Sequence, residues 1–217
     1  MGVTVKIDGA IPASGGAKPE TNMCAGCPGY CCKLLVDLTS YDLFRLVILE
    51  KKDALEFVEA VYAARDDAYA FRAEGSMVKL VLRHKENGYC VFFNEKEKLG
   101  CSVEEGKPAI CLMYPFCGDG RSFQSNALCP SENRRRADYA KMSKEVYMDA
   151  IWEFQRYQEI IDDWNTKSDG SENTADFLNF AAAEMELEKS PLGRQVRRLK
   201  RSIRRLQASV IRLPTTR

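Results

Sequence analysis

The stretch Cys24-Ala25-Gly26-Cys27-Pro28-Gly29-Tyr30-Cys31-Cys32 places four of the chain's nine cysteines within nine residues. A metal ion or cluster needs several soft ligands on one small sphere, and two cysteines separated by two residues can turn both sulfurs toward the same point. In a plain helix Cys24, Cys27 and Cys31 would share a face, but Gly26, Pro28 and Gly29 disfavour that conformation. The expected shape is a knuckle. Cys31 and Cys32 are adjacent, so one is expected to face the site while its neighbour turns to another metal, a disulfide or the core.

Composition decides what such thiols are for. The chain has 217 residues, 45% hydrophobic and 29% charged, enough for one ordinary core with an added helical part. No apolar run reaches membrane-spanning length, and residues 1–20 lack the basic-then-apolar pattern of a secretory signal. Met1-Gly2 opens a myristoylation motif, but Lys6 stands where that motif needs Ser or Thr. A cytoplasmic protein is expected. In a reducing compartment, clustered cysteines are metal-binding or redox-active more often than disulfide-bonded, and an odd count agrees. The plain alternative for any isolated cysteine is a small buried hydrophobe.

Read in order, residues 1–22 are a flexible leader rich in Gly, Ala, Pro and Ser. Residues 34–36 suggest a short strand. Thr39 followed by Asp42 resembles a capping box, opening a helix with Leu43, Leu46 and Val47 on its apolar face. Asp53 is expected to cap a second helix carrying Phe57, Val58, Val61 and Tyr62, and Gly75 to end the pair. From Met77 the apolar period shortens. Val78, Leu80 and Leu82 lead to a turn at Glu86-Asn87-Gly88, and residues 89–93 are expected to return as the second strand of a hairpin. Cys90 lies on that return, Cys101 follows the turn at Lys98-Leu99-Gly100, and Cys111 follows the turn at Gly106-Lys107-Pro108.

These residues resemble the YkgJ-like cysteine-cluster family, described as zinc- or iron-chelating. The resemblance covers residues 24–130 and rests on the run 24–32, Cys90 before Val91-Phe92, Gly100-Cys101, Pro108-Ala109-Ile110-Cys111, Tyr114-Pro115-Phe116 and Cys129. It implies eight ligand positions, Cys24, Cys27, Cys31, Cys32, Cys90, Cys101, Cys111 and Cys129, and leaves Cys117 outside the pattern. The family often has Arg-Pro before its seventh cysteine, where this chain has Lys107-Pro108. Lys keeps the charge without the fork of donors. Flagellin lysine N-methylase has a similar cysteine region, but no Gly-rich phosphate cradle supports a methyl-donor or nucleotide site here.

The thiols argue for metal without that resemblance. Later ligands must fold back on the first run, so the metal would staple a loop-rich domain. A zinc ribbon commonly has two Cys-x-x-Cys knuckles, whereas this chain has one and a single histidine. All-thiolate iron–sulfur sites accept a distant ligand, and Cys129-Pro130 matches the end of a ferredoxin run. The spacing therefore favours an iron–sulfur cluster, with zinc as the alternative. Eight thiolates could serve two sites of four, or one site with further buried or redox cysteines. His84 reads as an exposed histidine near the turn rather than a ligand, and Tyr30, Tyr114 and Phe116 as packing around the cysteines. A thioredoxin-like pair at Cys24 and Cys27 would need a strand leading into a long helix, which Pro28-Gly29 oppose. No Ser/His/Asp or paired-carboxylate arrangement stands out, so an enzymatic role stays open.

Beyond Cys129 the chain reads as helix. Ser131 can cap a long one whose apolar positions Tyr139, Met142, Val146, Ala150, Phe154, Tyr157, Ile161 and Trp164 recur every three or four residues. A linker at 166–173 and a helix over 174–189 follow. Arg134-Arg135-Arg136 would sit in the first turn of the long helix, where its dipole favours a nearby anion. Residues 194–217 hold nine Lys or Arg and no acid, and the whole chain is +1, so residues 1–193 carry −8. In that tail Val196, Leu199, Ile203, Leu206, Val210 and Leu213 alternate by three and four. A basic amphipathic helix is expected, packed on the acidic body or contacting nucleic acid, anionic lipid or an acidic protein partner.

The resulting expectation is an α-rich α+β protein: a leader at 1–22, a cysteine-cluster metal-binding domain at 23–130 containing a β-hairpin, a helical segment at 131–189 and a basic helix at 190–217. The function expected is an all-cysteine metal site with a redox or enzyme-component role, or a zinc-stabilised interaction module.

Overall fold

The computed structural model describes residues 28–94, 100–103, 106–114, 116–118, 123–125 and 137–185. The leader, Cys24, Cys27, Cys129, Arg134-Arg135-Arg136 and the basic segment 190–217 lie outside the described residues. The fold is α+β. A single 3-10 turn, Tyr30–Lys33, is followed by α1 (Ser40–Leu49), the short α2 (Ala54–Phe57) and strands β1 (Val58–Tyr62), β2 (Phe71–Ala73) and β3 (Ser76–Leu82). Two small two-stranded ladders flank the short α3 (Ala109–Met113): β4 (Phe93–Asn94) with β5 (Gly100–Cys101), and β6 (Phe116–Gly118) with β7 (Phe123–Ser125). Helices α4 (Ala137–Lys167) and α5 (Thr174–Glu184) complete the layer.

Helix α1 begins where the capping box requires. Asp42 N–H donates to Thr39 Oγ1 at 3.1 Å, and Thr39 N–H donates back to Asp42 Oδ2 at 2.9 Å, satisfying donors that the first turn leaves free. Asn173 and Asp176 repeat the arrangement at α5.

The sheet departs from the expected helix pair and hairpin. The helix at Asp53 lasts only four residues, and Val58 to Tyr62 form a strand that pairs antiparallel with β3, Val58 opposite Leu82 and Tyr62 opposite Val78. Residues 58–62 carry Val, Val and Tyr, suited to a pleated surface, and β3 supplies a partner that local periodicity cannot reveal. Gly75 sits in the tight β2–β3 turn, not at a helix end. There Glu74 and Gly75 both have positive φ, 49° and 75°, and Ala73 pairs with Ser76. Residues 89–93 do not run back along β3, which lies between β1 and β2. They touch the incoming chain by one bridge, His84 to Cys90. No strand forms at 34–36 either. Leu34 and Leu35 are exposed, and the chain meets β3 only around Asp37, through Leu38 N–H to Leu80 C=O at 2.8 Å and Leu82 N–H to Val36 C=O at 2.9 Å.

Helices α4 and α5 cover the sheet and α1. Trp164 Nε1 donates to Arg72 C=O and Arg72 N–H donates to Asn165 Oδ1, each at 2.7 Å, tying α4 to β2. Phe71 stacks on Phe177 with centroids 3.8 Å apart, while Tyr157 and Trp164 meet Phe177 edge-on. All of these rings are buried, and each fully buried side chain of this size contributes about 1.5–3 kcal/mol. The long helix is seen from Ala137, and α5 stops at Glu184, short of the expected 189. Among the described residues no helix is long and apolar enough to cross a membrane.

Candidate metal centre

The loop cysteines are seated by hydrogen bonds that the sheet leaves over. Within the 3-10 turn, Cys32 N–H donates to Gly29 C=O at 2.9 Å and Leu34 N–H to Cys31 C=O at 3.1 Å. Cys90 N–H then donates to Cys32 C=O at 2.7 Å, which brings the turn beside the 89–93 segment. Phe93 N–H closes a turn onto Cys90 C=O, and Phe93 pairs with Cys101 in the β4–β5 ladder. Three segments distant in sequence thus meet at Cys32, Cys90 and Cys101. Cys111 comes from α3, whose first N–H, that of Ala109, donates to Asp42 Oδ1 at 2.6 Å.

Phe93 is the floor of this arrangement. Its ring lies against Gly29, whose φ of 74° and missing side chain are both required, because a Cβ there would collide with the ring. Tyr89 stacks on Phe93 at 4.6 Å, and Lys33 Nζ sits 4.5 Å from the Tyr89 ring. Lys85 Nζ donates to Phe93 C=O. The shielding expected of Tyr30 falls to Phe93 instead. Tyr30 is 57% exposed.

Burial and neighbouring groups shift these thiols in different directions. Cys31 is lowered to about 7, first by the Cys32 thiol donating to it and also by Lys107. Cys32 is raised by the same hydrogen bond, by burial, and by Cys31, Cys101 and Cys90. Burial raises Cys90 to about 11, with Cys101 and Cys31 adding to it. Cys101 is raised by burial and by Cys31, and lowered by Lys107. Cys111 is raised well above the usual thiol value by desolvation and then by Cys101, Cys90 and Cys31. Cys111 nevertheless keeps exposed surface. Cys31 and Cys32 lie in the same 3-10 turn, and each thiol shifts the titration of the other.

Of the eight expected ligand positions, Cys32, Cys90 and Cys101 are brought together by the backbone, Cys31 stands in the same turn as Cys32, and Cys111 stands in α3. Cys24, Cys27 and Cys129 lie outside the described residues, and Cys117 falls in β6. Among the described residues no three His, Cys, Asp or Glu side chains already close around one point. The gathered donors are nonetheless soft thiols, which suit zinc or iron–sulfur and not the oxygen-seeking calcium or magnesium. Burial raises Cys90, Cys101 and Cys111 and neighbouring thiols add to it, and a cation among them would favour the thiolate forms.

The family model CxxCxxCC, "Putative zinc- or iron-chelating domain", matches residues 23–143, more than half of the chain. The chain belongs to the CxxCxxCC family. No curated protein and no solved structure matches it. The CxxCxxCC region contains every cysteine of the chain, and metal chelation is what its family description assigns. Lys107, where the resemblance led one to expect arginine, lies close enough to lower both Cys31 and Cys101, so the charge is kept at that place.

Two features escaped sequence reasoning. His84 is not a freely exposed histidine: its Nε2 is buried and unpartnered, and its backbone bridges to Cys90. Asp42 is more than a cap, because its other oxygen binds Arg45 and Ala109. The available signal was Arg45 itself, a lone cation one position before the apolar Leu46-Val47 of α1.

Proposed function

We propose that this CxxCxxCC protein holds an iron–sulfur cluster on thiolates drawn from Cys24, Cys27, Cys31, Cys32, Cys90, Cys101, Cys111 and Cys129, and that it works in the cytoplasm as a redox protein or a component of a redox enzyme. The observation that supports this reading is the meeting of the 3-10 turn, the 89–93 segment and β5 at Cys32, Cys90 and Cys101, with Cys90 N–H donating to Cys32 C=O. Four thiolates suffice for a 4Fe-4S cluster, and distant ligands are usual in such sites. When bound, the cluster would supply one-electron transfer. The chain's own residues would do the rest: Lys107 and Lys85 offset thiolate charge, while Phe93 and Tyr89 wall one side of the loop against water. The family description names zinc as well, and a zinc-stabilised interaction module is the second reading.

Serine substitution tests the ligand set. Cys24→Ser, Cys27→Ser and Cys111→Ser are expected to lower bound metal per chain, and Cys117→Ser, outside the pattern, to leave it unchanged. Equal loss in all four variants contradicts this assignment.

A further inference from the structure

Asp42, Arg45 and Glu153 form a charged cluster inside the protein. Arg45 is 1% exposed, Asp42 1% and Glu153 6%. Arg45 Nη2 donates to Asp42 Oδ1 at 2.7 Å, and Arg45 Nη1 donates to Glu153 Oε1 at 2.5 Å. Replacing buried ion pairs by apolar side chains of similar shape is often neutral or stabilising, so stability alone does not account for such a cluster. Asp42 has a further role that an apolar side chain could not fill.

That role is the bond to Ala109. Helix α3 has five residues and no side-chain cap of its own. Helices this short do not stand unaided, and their first N–H groups need acceptors. Asp42, from a different helix, supplies one to Ala109, two residues before Cys111. Its other oxygen is held by Thr39 N–H and Oγ1, at 2.9 and 2.8 Å, so the carboxylate cannot swing. Arg45 grips the same oxygen that receives Ala109.

We propose that Asp42 and Arg45 are positioning residues of the metal centre. Asp42 anchors the start of α3 and so sets where Cys111, two residues further on, stands, and Arg45 fixes the orientation of Asp42. Glu153 bonds Arg45 and lies at the end of this chain of contacts that is remote from Ala109. The inference rests on the reading of these thiols as metal ligands, and one arm of its test does not depend on that reading.

The test uses the full chain, metal-free and reduced, with cobalt(II) as the probe. Thiolate-to-cobalt charge-transfer absorbance per bound cobalt counts coordinated sulfurs, and alkylation followed by mass spectrometry reports the Cys111 thiol without any metal. Asp42→Asn is expected to weaken cobalt binding about 10- to 100-fold, the range usual for groups that orient ligands. It should also reduce the charge-transfer absorbance by one thiolate's share and speed Cys111 alkylation several-fold relative to Cys101. Arg45→Lys, which can still pair with Asp42, should stay near the unsubstituted chain in all three, and Arg45→Gln should move them in the direction of Asp42→Asn. Glu153→Gln should shift the melting temperature alone. Unchanged charge-transfer intensity and Cys111 alkylation in Asp42→Asn overturn the proposal, as does a loss of cobalt affinity in Glu153→Gln equal to that in Asp42→Asn. If Asp42→Asn does not fold, Arg45→Gln against Arg45→Lys decides by the same readouts. A chain that takes up no cobalt refutes the metal reading, and the alkylation rates then decide the role of Asp42 by themselves.

Discussion

Gly29 and Phe93 are mutually required: the ring occupies the space where a Gly29 side chain would project, and the same Phe93 pairs with Cys101. This contact joins the first cysteine loop to the second. Gly29→Ala is expected to destabilise the protein by about 1–2 kcal/mol from its left-handed backbone alone, with more from the collision. Bound metal should fall as well. Adding Phe93→Leu should recover part of both losses, and denaturant unfolding of the single and double variants checks it.

Among the described cysteines, Cys31 is expected to be the first to react in the metal-free protein. Its pKa of about 7 reflects the Cys32 thiol donating to it and the nearby Lys107, whereas burial holds Cys90 at about 11. The thiolate is the reactive form. Iodoacetamide labelling of Cys31 should rise through pH 7, and Cys90 should label only at much higher pH. Lys107→Gln should move the Cys31 profile upward. Labelling rates at each site, followed by mass spectrometry, provide the measurement.

Glu153 predicts a stability loss as pH rises above 4.5. Arg45 gains from two carboxylates, and its pKa rises even though burial acts against it. Glu153 has the poorer share: burial raises it above its ordinary 4.5, Asp42 and Asp149 add repulsion, and Arg45 only partly compensates. Its Oε2 is buried and unpartnered. Between 4.5 and the raised value the folded protein binds the extra proton, so unfolding free energy falls as pH increases through that window. Glu153→Gln should flatten this fall. Thermal unfolding from pH 4 to 9 in both proteins checks the sign.

Much of the helical part was legible from residues and spacing. Thr39 with Asp42 fixed the start of α1, and the apolar series through Tyr157, Ile161 and Trp164 marked α4. The sheet was not legible. Residues 58–62 look helical by spacing and become a strand only because β3 offers five partners. Residues 89–93 look like a returning strand, yet Cys90 gives its N–H to Cys32 instead. In the site, Cys31, Cys32, Cys90, Cys101 and Cys111 were all named by spacing and by resemblance to the family. The meeting of Cys32, Cys90 and Cys101, and the bond from Ala109 near Cys111 to Asp42, follow from long-range contacts that no local pattern encodes.

The aromatic joint between sheet and helices should dominate stability. Phe177 is fully buried against Phe71, Tyr157 and Trp164. Phe177→Ala is expected to cost about 3–5 kcal/mol, the usual range for a large core truncation. Asn173→Ala, which removes only the α5 cap, should cost about 1 kcal/mol. Urea midpoints of the two variants give the comparison.

Anaerobic purification followed by iron, acid-labile sulfide and zinc analysis of the same sample tests the central claim most directly. The account predicts a brown protein in which iron and sulfide are present in equal amounts and disappear together on oxidation. A colourless, well-folded protein carrying stoichiometric zinc and no sulfide would contradict it.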